Sequence, residues 1–150
     1  MKPSKRTRKV SPELQSFVSL QTAADRVARD VYGPLTRYRL TMSQFSVLQA
    51  LHTEGSMYQI ALARHIGKTT GNLTTVIDNL EKRGLVRRVR EQRDRRYYKV
   101  EPTPEGRKLI RKAYPAHVRQ VERVMGKLTA GEQDMLSTLC TRLHETEDEK

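Results

Sequence analysis

Residues 60–86 read Ile60-Ala61-Leu62-Ala63-Arg64-His65-Ile66-Gly67-Lys68-Thr69-Thr70-Gly71-Asn72-Leu73-Thr74-Thr75-Val76-Ile77-Asp78-Asn79-Leu80-Glu81-Lys82-Arg83-Gly84-Leu85-Val86. Two helical patterns meet here across a glycine. Ile60, Leu62, Ala63 and Ile66 predict a short helix over residues 58–66, with Gly67 supplying the turn. Leu73, Val76, Ile77 and Leu80 then fall at i, i+3, i+4 and i+7, the stripe of a half-buried helix. That helix is expected over about residues 70–83, with Gly84 as a left-handed cap.

Two runs rich in β-branched and aromatic residues follow, at 85–90 and 96–100, joined by a charged tip at 91–95. Pro102 lacks an N–H and is expected to end the second strand early. Upstream, Ser11-Pro12-Glu13 reads as an N-cap, an N1 proline and a first-turn acid. The helix it opens should stop at Gly33-Pro34. Another begins at Thr41, whose hydroxyl forms a capping box with Gln44, and ends near Gly55. Downstream, Pro104 opens a long helix in which Pro115 should produce a bend, since the periodicity resumes in phase. A last helix is expected over residues 130–145, where Cys140 reads as a small packing residue.

Helix, turn, helix and a basic two-stranded hairpin, in that order, spell a winged helix-turn-helix. The fold class is therefore mainly α with a small β-hairpin wing, flanked by N- and C-terminal dimerisation helices. The chain divides into a basic flexible tail (1–10), an N-terminal dimerisation helix and connection (11–40), a DNA-binding lobe (41–103), C-terminal dimerisation helices (104–144) and an acidic tail (145–150). The two flanking segments are amphipathic, yet one chain leaves their apolar stripes little to cover. A homodimer is the expected solution.

Charge locates the partner. The 150-residue chain carries 29 Lys plus Arg against 17 Asp plus Glu, a net +12. Five of those net charges fall on residues 1–10 and seven on residues 82–99. A single-sign segment beside a groove-sized helix suits a phosphate-tracking surface. With the stripe turned inward, Gly71, Thr75 and Lys82 lie opposite it, Asn72 and Asn79 on one flank, Thr74 and Asp78 on the other. The DNA-contacting set is thus Lys68, Thr69, Thr70, Gly71, Asn72, Thr74, Thr75 and Asn79. Asparagine reads adenine edges, threonine meets thymine methyls, and the helix N-terminus takes a phosphate. Asp78 would repel phosphate and is expected to pair with an arginine. At the hairpin tip, Arg93, Arg95 and Arg96 suit a narrow minor groove, and Asp94 is their organiser.

Residues 60–86, the wing residues Asp94-Arg95-Arg96 and the following Thr103-Pro104-Glu105-Gly106 closely resemble the MarR family of bacterial transcriptional regulators. The resemblance spans about residues 11–143. It implies an obligate homodimer with intertwined first, fifth and sixth helices. It also implies a double-stranded, pseudo-palindromic DNA operator and a repressor role, with the fourth helix in the major groove and the wing in the minor groove. Thr75 and Asn79 stand where many members carry arginine, so base readout leans less on guanine. Many members are released by a small aromatic or phenolic effector between the dimer helices and the DNA-binding lobe. Tyr32, Arg37, Tyr38, Phe45 and His52 are the candidate lining.

Other classes fit less well. HExxH, a phosphate-binding glycine loop and a nucleophile elbow are all missing from the sequence, and His52, His65, His117 and His144 are scattered, so no enzyme and no cofactor are expected. A metal site of His117, Cys140 and His144 lacks a full tetrahedral set, so none is expected. With one cysteine, no bilayer-length apolar run and no apolar leader, the chain reads as soluble and cytoplasmic. The competing reading is a sequence-tolerant nucleic-acid-binding basic protein without an effector.

Overall fold

The computed structural model describes residues 10–90 and 97–144. The basic arm before Val10, the hairpin tip with Arg93, Asp94, Arg95 and Arg96, and the acidic end at 145–150 lie outside the described residues. In chain order the elements are α1 (Pro12–Tyr32), a 3-10 helix (Gly33–Tyr38), α2 (Met42–Thr53), β1 (Met57–Tyr58) and α3 (Gln59–His65). They continue with α4 (Thr70–Lys82), β2 (Val86–Arg90), β3 (Tyr98–Pro102), α5 (Pro104–Met125) and α6 (Ala130–His144). It is a mainly α fold with a small antiparallel sheet, as expected from the sequence.

Local chemistry sets the boundaries. The Ser11 hydroxyl accepts from the Leu14 N–H at 3.2 Å, and Pro12 occupies the first turn of α1. Both halves of the capping box form at α2: the Gln44 N–H donates to Thr41 Oγ1 at 3.2 Å, and the Thr41 N–H donates to Gln44 Oε1 at 3.1 Å. Gly84, at φ +68°, terminates α4 as a left-handed residue that other side chains disfavour.

The first helix stops at Tyr32 with Gly33 as its C-cap, as the Gly33-Pro34 pair predicts, and the chain then tightens into the 3-10 helix with Pro34 in its first turn. Three expectations change. Tyr58 does not start α3: with Met57 it forms a short strand, in which Tyr58 pairs with Lys99 and Met57 with Val100. This makes β3 the central strand of three, in the order β1-β3-β2. Pro102 does not shorten β3. It pairs with Val86 at a non-hydrogen-bonding position, where the neighbouring Thr103 N–H donates to the Leu85 carbonyl at 3.1 Å. Its missing N–H is therefore not needed by β2. Finally, Cys140 is exposed rather than packed. The fifth helix does run on through Pro115.

One core joins these elements. Phe45, Leu48 and Leu51 of α2 meet Leu62 of α3, Leu73, Ile77 and Leu80 of α4, Val86 and Val100 of the sheet, and Ile110 of α5. Each is at most 1% exposed. The outer helices contrast sharply with this. Leu14 (52%), Phe17 (59%), Met135 (61%) and Leu143 (71%) stand open on α1 and α6. Phe17, Leu20, Leu136, Leu139, Cys140 and Leu143 line an open, mostly apolar cleft of about 610 Å³ between the two helices. Among the described residues, no helix is long and apolar enough to cross a membrane.

Candidate nucleic-acid interface

The site is built around α4. It starts at Thr70, where the sequence places it, and Thr69 is its N-cap, whose hydroxyl accepts from the Asn72 N–H at 3.4 Å. Thr70 opens the helix and is exposed. Lys68 is half-buried, and its N–H donates to the Ala63 carbonyl, which closes the turn between α3 and α4. Burial of Leu73, Ile77 and Leu80 turns Gly71, Asn72, Thr75, Asn79 and Lys82 outward, and all five are exposed. A Cβ built on Gly71 meets nothing within 4 Å. Its neighbourhood is open enough for another molecule's backbone to approach.

Thr74 is placed differently. It is half-buried, its hydroxyl donates to the Thr70 carbonyl at 3.0 Å, and it accepts from Gln59 Nε2 at 2.8 Å. Thr75 is the threonine that α4 presents outward. Asp78 pairs with a basic side chain of β2, Arg88, at 2.6 Å. Arg88 also reaches Glu81 at 2.7 Å. Neither Gln59 nor Arg88 stood out in the sequence, because the contacts join residues far apart in the chain.

The hairpin shaft is cationic and aromatic. Arg87 pairs with Glu101 at 3.0 Å, and the Arg90 guanidinium donates to the Tyr98 hydroxyl at 2.7 Å. Tyr58 and Tyr97 meet edge to face at 6.3 Å, and the Lys99 ammonium lies 4.9 Å from the Tyr58 ring centre. Tyr58, Gln59, Ile60, Thr70, Tyr97 and Tyr98 border a shallow hollow where α3, α4 and the hairpin converge. Arg83, just past α4, donates to the Arg39 carbonyl at 2.7 Å and so anchors that end to the chain before α2.

The five candidate effector-lining residues separate. Tyr32 and Phe45 come together around His117 of α5, with ring centres 5.2 and 4.5 Å from the imidazole. His52 lies two turns along α2, against Tyr114 at 6.1 Å. Tyr38 is half-buried against the core, and the Arg37 side chain is exposed. His117 Nδ1 is buried and has no hydrogen-bond partner among the described residues. Burial pushes the His117 pKa below its ordinary value. Among the described residues, no three metal-ligating groups converge.

The family model of the MarR family matches residues 40–98, from the start of α2 into β3. The transcriptional regulator HosA of Escherichia coli O127:H6 is 32% identical over 107 residues, covering 71% of this chain and 79% of HosA. The chain belongs to the MarR family. This makes it a transcriptional regulator of the MarR type rather than an enzyme. Two solved members of the same fold are Sco3205 from Streptomyces coelicolor, in complex with DNA, and BpsR from Bordetella bronchiseptica. Sco3205 has a TM-score of 0.84 at 23% identity and covers 97% of each chain. BpsR, whose DNA binding is regulated by 6-hydroxynicotinic acid, has a TM-score of 0.79 at 24% identity and covers 87% of this chain and 99% of its own. Along the MarR-type fold, the stretch with the buried stripe and the exposed polar face is α4.

Proposed function

We propose that this MarR-type regulator is a homodimeric, cytoplasmic repressor that reads a pseudo-palindromic operator. One observation carries the reading: α4 locks Leu73, Ile77 and Leu80 into the core while holding Gly71, Asn72, Thr75 and Asn79 outward as a small, polar face. Such a face enters a major groove without steric penalty, and the helix N-terminus at Thr69 and Thr70 faces phosphate favourably. The wing tip, Arg93, Arg95 and Arg96 with Asp94, then takes the adjacent minor groove. The open apolar faces of α1 and α6 support dimerisation, because two copies bury what one leaves in water. A small aromatic or phenolic effector between the dimer helices and the lobe is the release signal. The buried Nδ1 of His117, without a partner among the described residues and beside Tyr32 and Phe45, supports that site.

The test is selection of duplexes from a randomised pool, followed by titration of the winner and a scrambled duplex at several salt concentrations. A specific regulator keeps a preference of about a thousandfold or more at physiological salt. Equal affinity for both duplexes, falling steeply together with salt, would instead establish the sequence-tolerant coating protein. Arg95→Ala should weaken binding to the selected duplex, and sedimentation should give a dimer at micromolar concentration.

A further inference from the structure

Arg88 is a mostly buried cation in the hairpin. It is the third residue of β2, on the same face as buried Val86, and its partner across the sheet is Val100 of the central strand. Its side chain is only 19% exposed. Arg87, on the opposite face, is 67% exposed and pairs with Glu101 on the neighbouring strand.

The guanidinium is spent on protein groups. Nη2 lies 2.6 Å from Asp78 Oδ1 and Nη1 lies 2.7 Å from Glu81 Oε2, so one fork grips two carboxylates three residues apart on α4. The backbone N–H of Arg88 donates to the other Glu81 oxygen at 2.9 Å. Nε donates to Gln59 Oε1 at 3.4 Å, and Gln59 Nε2 in turn donates to Thr74 Oγ1. The start of α3, the flank of α4 and the hairpin shaft are thereby joined through a single side chain. Charge-assisted bonds in a partly desolvated cluster are the strong ones.

We propose that Arg88 is a positioning residue that sets the angle between the recognition helix and the wing, and so governs sequence discrimination without touching DNA. The inference rests on the regulator reading above. A helix in one groove and a wing in the next act as two linked contacts, whose combined strength requires a geometry that satisfies both at once. A phosphate contact would act differently. Losing it weakens binding uniformly across sequences and lowers the salt slope by about one.

Two variants separate these possibilities. Arg88→Lys keeps the charge and loses the fork. It is expected to fold and dimerise, to bind a scrambled duplex as the unmodified chain does, and to lose about tenfold in preference for the selected duplex, with an unchanged salt slope. Asp78→Asn removes a negative charge beside the DNA, so ordinary electrostatics predicts tighter binding to every duplex. The clamp predicts opposite signs instead: tighter on the scrambled duplex, weaker on the selected one. Uniform loss with a shallower salt slope for R88K, or uniform gain for D78N, would overturn the proposal. So would an R88K protein that melts earlier yet keeps full discrimination when folded. Failure of the unmodified chain to select any duplex would sink the regulator reading on which the clamp depends.

Discussion

Replacing Gly106 by alanine should destabilise the protein, against the usual effect of that change. In a helix interior, Gly to Ala is worth up to about 1 kcal/mol of stabilisation. Gly106, however, is the buried third residue of α5 and lies against the start of β2. A Cβ there would be driven onto the Leu85 carbonyl oxygen, with the carbonyl carbon at 3.0 Å and Cα at 3.4 Å. All three atoms are backbone, so none can swing aside. Relief requires α5 to back away from β2, which strains two bonds: Thr103 N–H to the Leu85 carbonyl at 3.1 Å and Thr103 Oγ1 to the Gly84 carbonyl at 2.6 Å. Overpacking costs about 1–3 kcal/mol and each weakened hydrogen bond about 0.5–1.5 kcal/mol. After the helix-propensity gain, the net loss is about 1–5 kcal/mol, or a Tm lowered by about 2–20 °C. Thermal unfolding at fixed protein concentration measures it, with Gly131→Ala as the control. Gly131, in the first turn of α6, has open space around its missing Cβ, so that variant should hold or gain up to about 1 kcal/mol. A G106A protein that melts at or above the unmodified chain would refute the reasoning.

Thr41→Ala removes the capping box of α2 and should cost about 1 kcal/mol in a denaturant titration. Stability should also fall on mild acidification through His117. Its pKa is lowered in the folded state by burial, so the unfolded chain takes the proton first. The contribution is whole above the ordinary value of 6.5, is lost as pH falls from there to the depressed folded value, and is constant below that. Unfolding curves of the unmodified chain and His117→Leu across this window provide the check: an identical pH dependence would show that another group is responsible.

Much of this molecule is legible in its sequence wherever the signal is local. The caps at Ser11 and Thr41, the stripe of α4 and the left-handed Gly84 depend on neighbours within a few residues, and each appears where its chemistry requires. What escapes is set by partners far along the chain. Met57 and Tyr58 are too short to announce a strand and become one because β3 offers an edge. Pro102 looks like a strand breaker until its register places the missing N–H away from β2. The same limit applies to the candidate interface. Exposure of Thr75 and Asn79 follows from helical period alone, whereas the engagement of Thr74 with Gln59, 15 residues earlier, does not. The pairing of Asp78 could be anticipated as chemistry, but choosing Arg88 from several nearby arginines needed the fold.

The open cleft between α1 and α6 has a consequence for how much protein must be present. Where Phe17, Leu139 and Leu143 are covered by a second copy, unfolding liberates two chains, and the melting point climbs with total concentration. Persistence then becomes a matter of mass action. In such a dimer each newly made chain would carry apolar helices in water until it met another, and would be vulnerable to proteases for that interval. Growth without synthesis thins the pool twice over, first by dilution and then by clearance of the chains left single.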